Sequence, residues 1–82
     1  MKVERTTYLV DGCKEPCIIV SSDDNFVSVR ISKMYHYIGN DTLYLVELIG
    51  NAYNSSEEFD GDFDLLTDKA AIAIARRFSI YL

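Results

Sequence analysis

Only one stretch of this chain, Leu65 to about Phe78, is patterned as a helix, and that decides what the rest must supply. The segment is rich in alanine and aliphatic residues and carries no Gly or Pro. Asp64 or Thr67 can cap its start, Asp68 sits in the first turn, and Arg76 and Arg77 lie near its end, where the helix dipole favours cations. Ala70, Ala71, Ile74 and Phe78 recur at spacings of three and four and mark one apolar face. A single helix with one such face needs a sheet to bury it against, and alanines on that face let the two layers approach closely. Ile72 falls on the Lys69/Arg76 side, where it is either wrapped by a sheet edge or exposed for a partner.

Ahead of the helix the chain reads as strands punctuated by turns. Val3 to Val10 is a first strand, with β-branched and aromatic Thr6, Thr7, Tyr8 and Val10. Asp11-Gly12 is a strong turn signal and Pro16 cannot donate to a ladder. Asp11 to Pro16 therefore reads as a six-residue connection, followed by a short strand from Cys17 to about Ser21 that closes a hairpin. After the turn Ser22-Asp23-Asp24-Asn25, Val27, Val29 and Ile31 alternate with Ser28, Arg30 and Ser32, the period of a strand with one buried and one wet face. That strand can run on through Tyr35-His36-Tyr37 to Ile38 before Gly39-Asn40-Asp41 reverses it. Thr42 to Ile49 returns as a fourth strand, apolar on both faces as in a strand covered on both sides. Gly50 to Asp64 shifts to Asn, Ser, Gly, Asp and Glu and reads as a loop. Residues 78–82 alternate and are open between a helix end and a fifth short strand. The expectation is a single α+β domain over residues 1–82. It comprises a small antiparallel sheet of about four strands in β-β-β-β-α order, with one C-terminal helix packed on one face.

With 82 residues there is room for one hydrophobic core. An apolar fraction of 49% and a charged fraction of 26% are those of a globular chain, not a disordered one. Net charge is −5 with a pI near 4.6, so the average surface repels phosphate backbones and anionic lipid. Direct nucleic-acid and membrane partners are therefore not expected. No apolar run approaches the roughly 20 residues of a membrane helix. Charges in Met1-Lys2-Val3-Glu4-Arg5 stand where a signal peptide needs an apolar core, so the expected location is cytoplasmic.

Cys13 and Cys17 are separated by three residues, not the two usual in redox dithiols and zinc half-sites. His36 is the only further nitrogen ligand, so a closed zinc site would have to borrow carboxylates. Cys17 reads as a buried small hydrophobe and Cys13 as a turn residue, both free thiols.

The strongest compositional feature is acidic. Six of the thirteen acidic residues, Glu57, Glu58, Asp60, Asp62, Asp64 and Asp68, fall in one twelve-residue stretch with no basic residue until Lys69. Asp60, Asp62 and Asp64 imitate the opening of an EF-hand loop, but Leu65 stands where Gly is required and Ala71 where the bidentate Glu belongs. No metal is expected. Carboxylates spaced along a loop and a helix start can instead imitate DNA phosphates or meet a basic groove, and Tyr53, Phe59 and Phe63 offer apolar anchors. The expected partner-binding residues are Glu57, Glu58, Phe59, Asp60, Asp62, Phe63 and Asp64. The alternative is a solvated loop whose phenylalanines turn inward to close the core.

Tyr35-His36-Tyr37, near Arg30, Lys33 and Phe26, could stack on bases. The acidic balance argues against it and favours tyrosine packing across the sheet. There is no nucleophile elbow, no glycine-rich phosphate loop and no carboxylate pair with separated environments. An enzyme is not expected, nor a cofactor. A short, acidic, tyrosine-rich chain with a small sheet, one helix and no catalytic motif resembles the small inhibitory proteins of phages and other mobile elements, of anti-CRISPR or anti-restriction type. The resemblance lies in general appearance and not in a motif. It implies a non-enzymatic protein that binds and inhibits a larger one, at a basic groove that holds nucleic acid. Two alternatives stand beside it: a homo-oligomeric assembly module using a strand edge or the Ile72 side of the helix, and a weak metal- or small-molecule-binding module.

Overall fold

The computed structural model describes residues 1–24, 27–33, 43–49, 56–60 and 63–78. Among them five strands pair antiparallel in chain order: β1 (Lys2–Val10), β2 (Cys13–Ser21), β3 (Ser28–Lys33), β4 (Leu43–Ile49) and β5 (Ser56–Asp60). A single 3-10 turn, Phe63–Leu65, then leads to the helix α1, Asp68–Phe78. This is the α+β meander with a C-terminal helix, and β5 extends the sheet beyond its first four strands. No helix among the described residues is long and apolar enough to cross a membrane.

The first hairpin is tighter than its composition suggests. Val10 pairs directly with Cys13, so the connection is the two residues Asp11 and Gly12, at φ 49° and 82°. Two positive φ values make a type I′ turn, whose twist matches that of the strands it joins. The expected six-residue connection is therefore corrected: β2 begins at Cys13 and contains Pro16. The register explains the tolerance. Val10 and Cys13 flank the turn as a bonded pair, and alternation puts Thr7 opposite Pro16 at a pair that exchanges no hydrogen bonds. Pairing to β3 starts one residue later, at Cys17 opposite Ser32. The second turn closes where expected, with Ser22 N donating to the Val27 carbonyl at 2.9 Å and Val27 N donating to Ser22 Oγ at 3.1 Å.

One face of the sheet makes the core. Ile18 and Val20 of β2, Val29 and Ile31 of β3, and Val46 of β4 are fully buried, and the register sets Ile18 beside Ile31, Val20 beside Val29, and Ile31 beside Val46. Each contributes on the order of 1.5–3 kcal/mol by leaving water. Across them lie Ala71 and Ala75 of α1 and the ring of Phe63. The centre of the helix face is thus Ala71/Ala75, flanked by Ile74 and Phe78 on one side and Ile72 on the other. Ile72 is partly buried against the same core.

Two boundaries move. The helix starts at Asp68, because Thr67 is its cap: Ala70 N donates to Thr67 Oγ1 at 3.2 Å, and Ala71 N to the Thr67 carbonyl at 2.9 Å. Residues 56–60, expected in a loop, form β5 against β4, from Glu47 opposite Ser56 to Leu43 opposite Asp60. Their polar composition disfavours a strand, but β4 presents an unpaired row of backbone groups, and pairing context outweighs propensity in sheets. The proposed continuation of β3 through Tyr35 to Ile38, the turn at Gly39 and the question of residues 79–82 lie outside the described residues.

Candidate functional site

The acidic segment is divided between three environments. Glu57, Glu58, Phe59 and Asp60 belong to β5, an outer strand of the sheet among the described residues. Phe63 is buried at 6% exposure in the core, so it closes the fold and does not serve as a surface anchor. Asp64 is exposed in the 3-10 turn. Asp68 is paired: its carboxylate accepts from Arg5 at 3.1 Å, while the same guanidinium donates to the Leu66 carbonyl at 2.7 Å. Arg5 thereby ties β1 to the approach to α1. Asp62 and Tyr53 lie outside the described residues.

A second cluster, unrecognised in the sequence, occupies the sheet face away from α1. Arg30 alternates with the core residues Val29 and Ile31 and stands opposite Glu47, to which it donates at 3.0 Å with both side chains about three-quarters buried. Its guanidinium carbon also lies 4.2 Å from the centre of the Tyr8 ring, a cation–π arrangement. Tyr8 is on β1, so the Arg30 side chain spans β2, where Cys17 lies on the same face. Cys17 is 2% exposed, and Ser32, its register partner, 1%. The face expected to be wet is therefore largely covered at its centre. Burial pushes the Cys17 thiol up, opposed by the Arg30 guanidinium and helped by Glu4. Arg30 Nε and Ser32 Oγ are buried and have no hydrogen-bond partner among the described residues. Arg30 is thus committed to Glu47 and Tyr8. Of the aromatic residues read with it, Phe26, Tyr35, His36 and Tyr37 lie outside the described residues.

On its outer side α1 carries a shallow open groove lined by Lys69, Ile72, Ala73 and Arg76. Among the described residues no group of three or more His, Cys, Asp or Glu side chains could hold a metal ion. Cys13 and Cys17 are free thiols four positions apart along β2, which in a strand is about 13 Å. That is too far for a disulfide or a shared ion. Only the register, which joins residues distant in the chain, brings Tyr8, Arg30 and Glu47 together. The alternation of β3 flagged Arg30 as facing away from the core but could not name its partners. No protein family, no curated protein and no solved structure matches the chain, so its function is argued from these surfaces.

Proposed function

We propose that this chain is a non-enzymatic module that binds a larger protein at a basic, nucleic-acid-holding groove and blocks it, using β5 and the turn that follows as the contact surface. The observation that carries this reading is the position of β5, which makes the acidic segment an outer strand of the sheet. An outer strand presents backbone N–H and C=O groups to whatever lies beside it. A partner segment can bond to that row while its Lys and Arg side chains meet Glu57, Glu58 and Asp60, with Phe59 as the apolar anchor. Asp64 carries the negative surface on toward the helix. Charge on an edge also repels acidic strands, so the same residues that attract a basic partner reject others.

The test is capture from the native host with two baits, the unmodified chain and a variant carrying Glu57→Gln, Glu58→Gln, Asp60→Asn and Asp64→Asn. The unmodified chain is expected to retain a protein whose binding of nucleic acid it suppresses. Against that protein the variant should lose about tenfold or more in affinity, or 1.4 kcal/mol, and show a shallower salt dependence. Equal affinity and equal salt slope for the two baits would reject the reading.

A further inference from the structure

The two outer strands are guarded differently. β5 places three carboxylates within five residues. β1 is nine residues long, and its second half, Thr6 to Val10, contains no charge, Pro or Gly, the devices that ordinarily blunt an edge. Thr6 and Thr7 are exposed, and Leu9, 69% exposed, is one of two large hydrophobic side chains left open among the described residues.

The hairpin fixes which way the bonding groups of β1 point. Val10 and Cys13 bracket a two-residue turn and exchange both their hydrogen bonds. By alternation the even-numbered residues of β1 bond to β2. Val3, Arg5, Thr7 and Leu9 turn their N–H and C=O groups outward, where no described strand meets them.

We propose that this edge pairs with the same edge of a second copy, antiparallel about a two-fold axis at Thr6, joining two five-stranded sheets into one. A two-fold contact sets residue i opposite j and j opposite i, and outward residues must pair with outward residues. Three centres keep most of the strand in register: Arg5, Thr6 and Thr7. Centring on Arg5 opposes Arg5 to itself, which is destabilising. Centring on Thr7 leaves Leu9 against Arg5 and runs Val3 into the turn at Asp11. Thr6 is the midpoint of Lys2–Val10, so only that centre pairs the whole strand. It sets Leu9 beside Val3 twice, on the face that carries α1, together with Arg5 beside Thr7, Glu4 beside Tyr8, and Thr6 beside Thr6. No like charges meet, the exposed Leu9 gains an apolar neighbour, and a threonine pair sits at the axis, a favourable cross-strand contact. The contact leaves β5 open at both ends of the joined sheet, so it stands or falls separately from the function proposed above.

Sedimentation or light scattering should show the 9.3 kDa chain passing to twice that mass as concentration rises. Two copies of net charge −5 repel at long range, so added salt should strengthen this association. Amide exchange at Val3, Arg5, Thr7 and Leu9 should slow with concentration, while Glu4, Thr6 and Tyr8 stay protected throughout. In a Cys13→Ser, Cys17→Ala background, which removes the thiol opposite Thr6 in the hairpin, Thr6→Cys should oxidise to a covalent dimer in preference to Arg5→Cys or Thr7→Cys. Leu9→Glu, which faces Lys14 within the hairpin, should fold and remain a monomer. A chain that stays at 9.3 kDa at millimolar concentration overturns the proposal, as does a dimer whose odd-numbered β1 amides exchange at the monomer rate. Preferred cross-linking at position 5 or 7 overturns the Thr6-centred register.

Discussion

At the scale of single residues, Cys17 and Arg30 are the positions whose chemistry depends most on the fold. Burial raises the Cys17 thiol above its ordinary 9.0, so the folded chain keeps a proton that the unfolded chain releases. The associated stability is fully present below about pH 9 and is lost as pH rises through the higher folded value. Urea midpoints of the unmodified chain should therefore fall at alkaline pH more steeply than those of Cys17→Ala. A thiol reagent should label the exposed Cys13 at once and Cys17 only as fast as the fold opens. Arg30 reaches across β2 to Tyr8 on the face where Cys17 lies, so Arg30→Ala should speed labelling of Cys17. It should also cost about 1–3 kcal/mol, because it removes a charge-assisted hydrogen bond and leaves the largely buried Glu47 without its partner. Direct coupling of Arg30 to Glu47 in a double-mutant cycle should be smaller, about 0.5–1 kcal/mol, since neither group is fully dry.

At the scale of elements, the turns and caps carry the register. Gly12 sits at φ 82° with nothing within 4 Å of where a Cβ would stand, so a side chain there meets no neighbour but an unfavourable backbone. Gly12→Val should cost about 1–2 kcal/mol through conformation alone, read as a lower urea midpoint, whereas Asp11→Asn should be nearly neutral because Asn tolerates the same left-handed region. Thr67 is the cap on which α1 begins. Thr67→Ala should cost about 1 kcal/mol and Thr67→Ser much less, since the serine hydroxyl can still accept from Ala70 N. Ala71 and Ala75 let the helix lie against Ile18, Val20, Val29, Ile31 and Val46. Ala71→Leu should destabilise by about 1–3 kcal/mol through overpacking, although leucine is an excellent helix former.

At the scale of the whole molecule, the two outermost strands among the described residues, β1 and β5, differ in character, and salt should act on them in opposite directions. Binding of a basic partner at β5 should weaken as ionic strength rises, whereas self-association at β1 should strengthen, because screening removes the repulsion between two acidic copies. A chain neutralised at Glu57, Glu58 and Asp60 should lose its partner yet still self-associate, at equal or lower concentration than the unmodified protein because each copy carries less negative charge. Leu9→Glu should do the reverse. Measuring both variants by sedimentation and by partner affinity separates the edges.

The sequence by itself determined the class of fold and part of its interior. Alternation at Val27, Val29 and Ile31 named the buried face of β3, the alanine-rich pattern ahead of Phe78 named the helix and the side it buries, and Asp11-Gly12 named the first turn. These are local signals, because side-chain period and turn chemistry act within a few residues. Tertiary structure decided what depends on a neighbour. Pro16 could enter β2 because the ladder asks it for no hydrogen bond there, and a polar segment became β5 because β4 had an edge to fill. Of the acidic segment, the composition named Glu57, Glu58, Asp60 and Asp64, but only the packing showed that Phe63 belongs to the core and that Asp68 answers to Arg5. The Tyr8–Arg30–Glu47 cluster was not legible at all. Its members are far apart in the chain, and pairing register, which follows from the assembly of the four strands β1 to β4, is what sets them within reach.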